Sequence, residues 1–127
     1  MNSSKRILIV DDDPDIAIML KIMLEYRGFS SLLASRPDMV DQILRDNNVE
    51  LIIMDMLLSG ANGTDICRSI KANPTTALIP VIMISAHPNA REICLEAGAD
   101  EFVSKPFDME DLFSRIRRLT EKVDTQS

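Results

Sequence analysis

Polar residues that could carry out chemistry stand at the ends of four short apolar runs in this chain. The runs are residues 7–10, 51–54, 81–84 and 102–103, and the residues that follow them include Asp11, Asp12, Asp13, Asp55, Ser85 and Lys105. Carboxylates, a hydroxyl and an ammonium group are together the groups that hold a divalent cation and a phosphoryl group. The sequence therefore predicts a metal or phosphoryl-transfer site, provided that the fold brings these four ends together.

The remaining segments predict how the fold does so. The apolar runs, with a weaker strand at 29–34, alternate with helical patterns. Helices are predicted to start at Asp13-Pro14, at Pro37, near Thr64 and after Asp108, and another is predicted to end at residues 97–98. The first helix should bury a face formed by Ile16, Met19, Leu20, Met23 and Leu24. Continuously apolar strands joined through helices predict a parallel sheet covered on both faces, with its ligand site beyond the carboxyl ends of the strands.

Length, charge and cysteine content narrow the class of protein. The 127 residues predict a single domain, 1–127, with a core at about 5–121 and a polar tail at 122–127. A net charge of −6 argues against a nucleic-acid surface. The apolar run after the first six residues is too short for a signal peptide or a membrane span. Cys67 and Cys94 lack metal-type spacing, so free thiols in the reducing cytoplasm are expected.

The acids are predicted to have different jobs. Asp13 precedes a helix-opening proline and is interpreted as the helix cap, which leaves Asp11 and Asp12 as metal ligands. Asp55 stands alone after its strand and is the better candidate for a nucleophile that forms an aspartyl phosphate. The sequence offers no His or Cys ligand beside these oxygens, so Mg²⁺ is favoured, with Mn²⁺ or Ca²⁺ as alternatives.

The chain resembles a receiver domain of a two-component response regulator over residues 5–119. The matching motifs are ILIVDDDPD, LIIMDMLLSGANG, PVIMISA, AGADEF and KPF. The resemblance implies a flavodoxin-like (βα)5 fold, a doubly wound parallel five-stranded sheet with the strand order 2-1-3-4-5. It also implies that the protein is a phosphorylated signalling switch rather than an enzyme, with only self-phosphotransfer and slow autodephosphorylation.

The resemblance assigns the metal ligands residue by residue. Asp55 is the implied phosphoacceptor and a ligand of Mg²⁺. Asp12 is the implied direct ligand, Asp11 holds a metal-bound water, and the backbone carbonyl of Leu57 is the third protein ligand. The loop departs from the family where Ser59 replaces a common proline and where Asn62-Gly63 replaces Asp-Gly, but neither change removes a ligand.

The resemblance also assigns the residues that sense the phosphoryl group. Ser85, in place of the commoner Thr, is the switch hydroxyl, and Lys105 is the phosphate-binding lysine before a cis peptide bond to Pro106. Phe102 is the aromatic switch residue, expected to turn inward on phosphorylation and to remodel the surface of the fourth helix, fifth strand and fifth helix. The implied partners are a histidine kinase or histidine phosphotransfer protein and a downstream protein or output domain, and a homodimer on phosphorylation is compatible with the family.

Three other interpretations remain open from the sequence. A haloacid-dehalogenase-type phosphatase would use the Asp-x-Asp pattern within residues 11–13, but it usually needs a longer chain and a second acidic cluster where this chain has Ser85. A flavodoxin-like carrier would need Ser, Thr and Gly where three aspartates stand. A receiver-like adaptor that works without phosphorylation would not need so complete a site.

Overall fold

The computed structural model describes residues 5–58 and 60–121, and its central element is a five-stranded parallel sheet. The strands are β1 (Arg6–Val10), β2 (Ser30–Ala34), β3 (Leu51–Asp55), β6 (Val81–Ser85) and β7 (Glu101–Ser104). Their order is β2-β1-β3-β6-β7, which is the predicted order 2-1-3-4-5 when only the sheet strands are counted. The flavodoxin-like α/β fold is thereby confirmed.

A small hairpin, which the sequence did not predict, follows β3. It consists of β4 (Leu57–Leu58) and β5 (Ala61–Asn62), which pair antiparallel. Two-residue strands are too short to show an alternating pattern, so the sequence showed only a turn-rich loop. The predicted polar tail at 122–127 and Ser59, which stands where the family commonly has proline, lie outside the described residues.

Five α-helices connect or follow the strands in the described part of the chain. They are α1 (Pro14–Tyr26), α2 (Val40–Asp46), α3 (Gly63–Ala72), α4 (Ala90–Glu96) and α5 (Met109–Glu121). Asp13 caps α1, as predicted, by accepting a hydrogen bond from the Asp15 N–H, and Asp108 accepts one from the Glu110 N–H. Pro37 opens a 3₁₀ turn, Pro37–Met39, so the second helix begins later than expected.

Two apolar cores lie on opposite faces of the sheet. Alternate strand residues face α1 and α5 on one side and α2, α3 and α4 on the other. Each fully buried Leu, Ile or Phe side chain contributes roughly 1.5–3 kcal/mol of transfer free energy, so the sheet is held from both sides. The chain winds from β1 to β2 in one direction and to β3 in the other. The strand order therefore reverses between β2 and β3, at β1, and the crevice beyond β1 and β3 is where a ligand site is expected.

The face that α1 turns to the core is largely the predicted one. Leu20 and Leu24 are buried, and Ile16 and Met23 pack against the same core. Met19 was predicted to be buried but is 39% exposed, and Ala17 is buried instead. Because α1 is apolar around most of its circumference, spacing alone could not decide where the buried face ends.

Candidate functional site

The candidate site lies at the carboxyl edge of the sheet. Parallel pairing places Val10 of β1 beside Met54 of β3, so the residues that follow them, Asp11 and Asp55, lie at the same edge. Asp55 pairs with Ile84 of β6, which brings Ser85 next to it. The register of the sheet thus brings to one edge residues that are 30 to 74 positions apart in the chain.

Three carboxylates form a cluster in this crevice. Asp11, Asp12 and Asp55 each offer an oxygen that lies within 4.8 Å of the other two. Asp11 is buried, and its Oδ1 accepts a hydrogen bond of 2.9 Å from the Asp13 N–H. Asp13 itself turns away to cap α1. Asp11 and Asp12 therefore lie in the cluster, whereas Asp13 caps α1, which is the division that the sequence predicted.

Two carboxylates of the cluster, Asp11 and Asp55, have raised pKa values. Burial raises the pKa of Asp55, and the nearby charge of Asp12 adds to that rise, while Lys105 and a hydrogen bond from the Leu57 backbone oppose it. The pKa of Asp11 is also raised by burial, and the Asp55 charge adds to the effect. A hard divalent cation bound by these oxygens would relieve both effects. The donor set suits Mg²⁺, since all three groups are carboxylates.

Lys105 lies beside the cluster, and Ser85 ends the strand next to β3. Lys105 Nζ lies 3.6 Å from Asp55 Oδ2, and the Lys105 N–H donates a hydrogen bond of 3.0 Å to the Ser85 carbonyl. The Lys105–Pro106 peptide bond is cis. Ser85 is buried, and its Oγ accepts a hydrogen bond of 3.0 Å from the His87 N–H. A cation therefore stands beside the Asp55 carboxylate, and a hydroxyl-bearing residue lies at the same edge of the sheet.

Gly63 holds the segment after Asp55 in place, a role that the sequence did not reveal. A Cβ at this position would lie 2.4 Å from the Asp55 carbonyl oxygen and 3.0 Å from that of Met56. The Gly63 N–H donates a hydrogen bond of 2.7 Å to the Met56 carbonyl, and Asn62 caps α3 through the Thr64 N–H. The available signal was a glycine directly after a capping Asn at a helix start, which indicates a close backbone approach.

Comparison with known proteins identifies the family. The model of the response regulator receiver domain matches residues 7–117. This chain belongs to that family. Among its curated relatives is the DNA-binding response regulator MtrA of Mycolicibacterium smegmatis, 36% identical over 89% of this chain and 49% of that protein. Another is the phosphate regulon regulator PhoB of Pseudomonas aeruginosa, 34% identical over 89% of this chain and 50% of that protein. This receiver domain thus spans about half the length of these relatives.

Solved structures agree with the assignment. A putative response regulator from Chloroflexus aurantiacus superposes with a TM-score of 0.90, at 30% identity, over 94% of this chain and all of that one. The receiver domain of the sensor histidine kinase PA1611 of Pseudomonas aeruginosa gives a TM-score of 0.86 at 25% identity, again over 94% and 100%. That structure is described with a magnesium ion coordinated in its active-site cleft.

Phe102 is buried in this structure, with 8% of its surface exposed, and it packs in the same core cluster as Ala90 and Cys94. Its role as the aromatic switch residue stays a prediction. At the rim, Leu57 and His87 have exposed side chains. None of the described helices combines the length and apolar composition needed to cross a bilayer.

Proposed function

We propose that this receiver domain is a phosphorylation switch whose phosphoacceptor is Asp55. One observation carries the proposal: Asp55 lies in a cluster with two other carboxylates and 3.6 Å from the ammonium group of Lys105. A carboxylate that only caps a helix or faces solvent would need neither the other two carboxylates nor the Lys105 ammonium group. Together they provide a cation site and a positive charge for the oxygens of a transferring phosphoryl group.

The reaction is transfer from a phosphohistidine. An oxygen of Asp55 attacks the phosphorus, the P–N bond breaks with its electron pair going to the imidazole, and the imidazole takes up a proton from solvent. Asp12 and Asp55 would hold Mg²⁺ directly, Asp11 would hold it through a water, and the Leu57 carbonyl would be the third protein ligand; Mn²⁺ would fit the same oxygens. A cation bound there would neutralise charge on the phosphoryl oxygens. Lys105 supplies a further compact positive charge, 3.6 Å from Asp55 Oδ2.

The signal passes through the loop between β6 and α4. The transferred group adds negative charge and acceptor oxygens, to which the Ser85 hydroxyl donates a hydrogen bond. Because Ser85 Oγ also accepts the His87 N–H, a movement of Ser85 pulls on the loop that leads to α4. Phe102, which is buried in this structure, is the proposed aromatic switch residue, and its inward position in the phosphorylated state remodels the surface of α4, β7 and α5. The switch is limited by the difference in contacts that Ser85 and Lys105 make in its two states.

The proposed partners follow from this chemistry. A cytoplasmic histidine kinase or histidine phosphotransfer protein supplies the phosphoryl group, and a downstream protein or output domain reads the α4–β7–α5 surface. MtrA is named as a DNA-binding response regulator and PhoB as a transcriptional regulatory protein, and each is about twice this length, so a DNA-binding module is one form that the output takes. The receiver domain itself, with its net charge of −6, does not contact nucleic acid in this proposal.

The test is labelling by a small phosphoryl donor. Acetyl phosphate with Mg²⁺ is expected to phosphorylate the wild type, and chelation of the metal should abolish labelling. Asp55→Asn should not be labelled, whereas Asp65→Asn, which removes an exposed acid of α3, should be labelled like the wild type. Equal labelling of Asp55→Asn would overturn the assignment. Sustained turnover of p-nitrophenyl phosphate would instead favour the phosphatase alternative.

A further inference from the structure

The outward side of α1 carries an apolar stripe that the phosphorylation site does not use. Ile18, Ile22 and Tyr26 follow one another at intervals of four residues and are 50%, 62% and 88% exposed. The spacing places them on one line along the helix. Single exposed apolar residues are common on protein surfaces, but a contiguous stripe marks an interaction site. We call these three residues the α1 stripe.

A pair of opposite charges borders the α1 stripe. Lys21 Nζ lies 2.7 Å from Glu25 Oε2, and both side chains are partly exposed, at 39% and 44%. The two residues lie one turn apart on the same flank of the helix. This flank therefore presents a positive group and, one turn later, a negative group beside the apolar residues.

We propose that the α1 stripe binds the same stripe of a second copy of this chain, with the two helices antiparallel. Ile18 and Tyr26 each lie about 6 Å of helix rise from Ile22, on opposite sides. A two-fold axis through Ile22 therefore stacks the two Ile22 side chains and places Ile18 of each copy against Tyr26 of the other. Such a contact is self-complementary, as a two-fold dimer requires.

The bordering charges commit the stripe to a second copy. In the antiparallel arrangement, the flank of one helix faces the same flank of the other. Measured along the helix axis, Lys21 of one copy then lies about 3 Å from Glu25 of the other. The symmetry forms a second pair, between Glu25 of the first copy and Lys21 of the second. A flank with charges of one sign would repel its own copy, whereas this one attracts it.

The dimer is independent of the proposed phosphorylation. The three residues of the stripe are distinct from the carboxylate cluster and from Ser85 and Lys105. The dimer should therefore form without a phosphoryl group and should persist in the Asp55→Asn variant. A failure of this inference would leave the assignment of Asp55 unaffected, and the reverse also holds.

Sedimentation equilibrium over a range of concentrations tests the proposal. The mass of the wild type should rise from 14.2 kDa towards twice that value as concentration increases. Ile22→Lys should stay monomeric at concentrations where the wild type is dimeric. The matched control is Leu78→Lys, which changes a 95% exposed residue in the loop between α3 and β6 and should dimerise like the wild type.

A charge exchange adds a test specific to the two-fold arrangement. Lys21→Glu should weaken the dimer by placing like charges opposite each other, and adding Glu25→Lys should restore it. Thermal melts monitor the folding of each variant. A wild type that stays at 14.2 kDa at every concentration overturns the proposal. So does an Ile22→Lys variant that dimerises as well as the wild type, which would point to another surface.

Discussion

Replacing the phosphoacceptor candidate should make this protein more stable when no divalent cation is present. Most substitutions of buried residues destabilise a fold, so the direction is diagnostic. Asp55 is largely buried, and the Asp11 and Asp12 carboxylates lie within 4.8 Å of it. Asn has the same shape, and its amide oxygen can still accept the hydrogen bond that Asp55 receives from the Leu57 backbone. The change thus removes mainly the charge.

The size of the effect follows from the distances. At an effective dielectric constant of about 20, two like charges 4.8 Å apart repel by about 3.5 kcal/mol, and Asp55 has two such neighbours. The Lys105 ammonium at 3.6 Å returns about 4.6 kcal/mol of attraction. Solvent at the open side of the crevice screens each interaction. We expect Asp55→Asn to raise the free energy of unfolding by about 1–2 kcal/mol, or Tm by about 3–6 °C.

Thermal unfolding in a chelator, followed by circular dichroism, measures this difference. Asp65→Asn makes the same change in net charge at an exposed position and should leave Tm nearly unchanged. Added Mg²⁺ should raise the Tm of the wild type. At a Mg²⁺ concentration a hundred times the dissociation constant, the free energy of unfolding should rise by about 2.7 kcal/mol. Mg²⁺ should raise that of Asp55→Asn much less. If Asp55→Asn is less stable than the wild type in chelator, the charge of Asp55 does not destabilise the metal-free protein.

The difference should also depend on pH. Because the folded-state pKa of Asp55 is raised above its ordinary 3.8, the folded wild type takes up a proton at a higher pH than the unfolded chain does. Stability of the wild type relative to Asp55→Asn therefore increases as pH falls through the raised pKa. The advantage of the variant should be full at neutral pH and should shrink towards pH 3.8. An advantage that grows on acidification would contradict this cause.

Three further predictions concern the loop, the rim and the core. Gly63→Ala places a Cβ 2.4 Å from the Asp55 carbonyl oxygen, so the strand end or the helix must move. We expect the free energy of unfolding, measured in denaturant, to fall by about 1–3 kcal/mol and Asp55 to be labelled less. Unchanged stability and labelling would contradict the contact. Leu57→Asn should speed loss of the phosphoryl group, because a polar side chain at the rim admits and orients water; an unchanged decay of labelled protein would exclude a role for Leu57. Cys67 and Cys94 should not react with a disulfide reagent until the protein unfolds. Both thiols are buried, and burial raises the pKa of Cys94 to about 11. Rapid reaction of the folded protein would contradict this placement of the thiols.

Much of the fold was predictable because local signals and topology agree. Runs of Ile, Leu, Val and Met with polar ends could be placed only in strands buried on both faces, and Asp13 and Asp108 marked helix starts by their capping chemistry. The buried face of α1 was predicted except at its boundary, where Met19 is exposed and Ala17 is buried; the helix is apolar on both sides of this boundary, so spacing could not locate it. The β4–β5 hairpin is too short to leave a pattern.

The candidate site was predictable at the level of residue types and their order. Each strand end contributes its residue to one edge of a parallel sheet, so Asp11, Asp55 and Ser85 had to converge once the topology was right. The roles of Gly63 and Phe102 depend on contacts between elements that are distant in the chain. Whether a glycine is needed for space, or an aromatic ring already lies in the core, is decided by packing that no local pattern records.

The most direct test of the central claim is to identify the residue that carries the phosphoryl group. After phosphorylation with acetyl phosphate and Mg²⁺, reduction by borohydride converts an aspartyl phosphate to homoserine, which peptide mass spectrometry locates. We expect homoserine at position 55 and none in a sample treated with chelator. Homoserine at position 11, 12 or 13, or none in a labelled protein, would contradict the assignment of Asp55 as the phosphoacceptor.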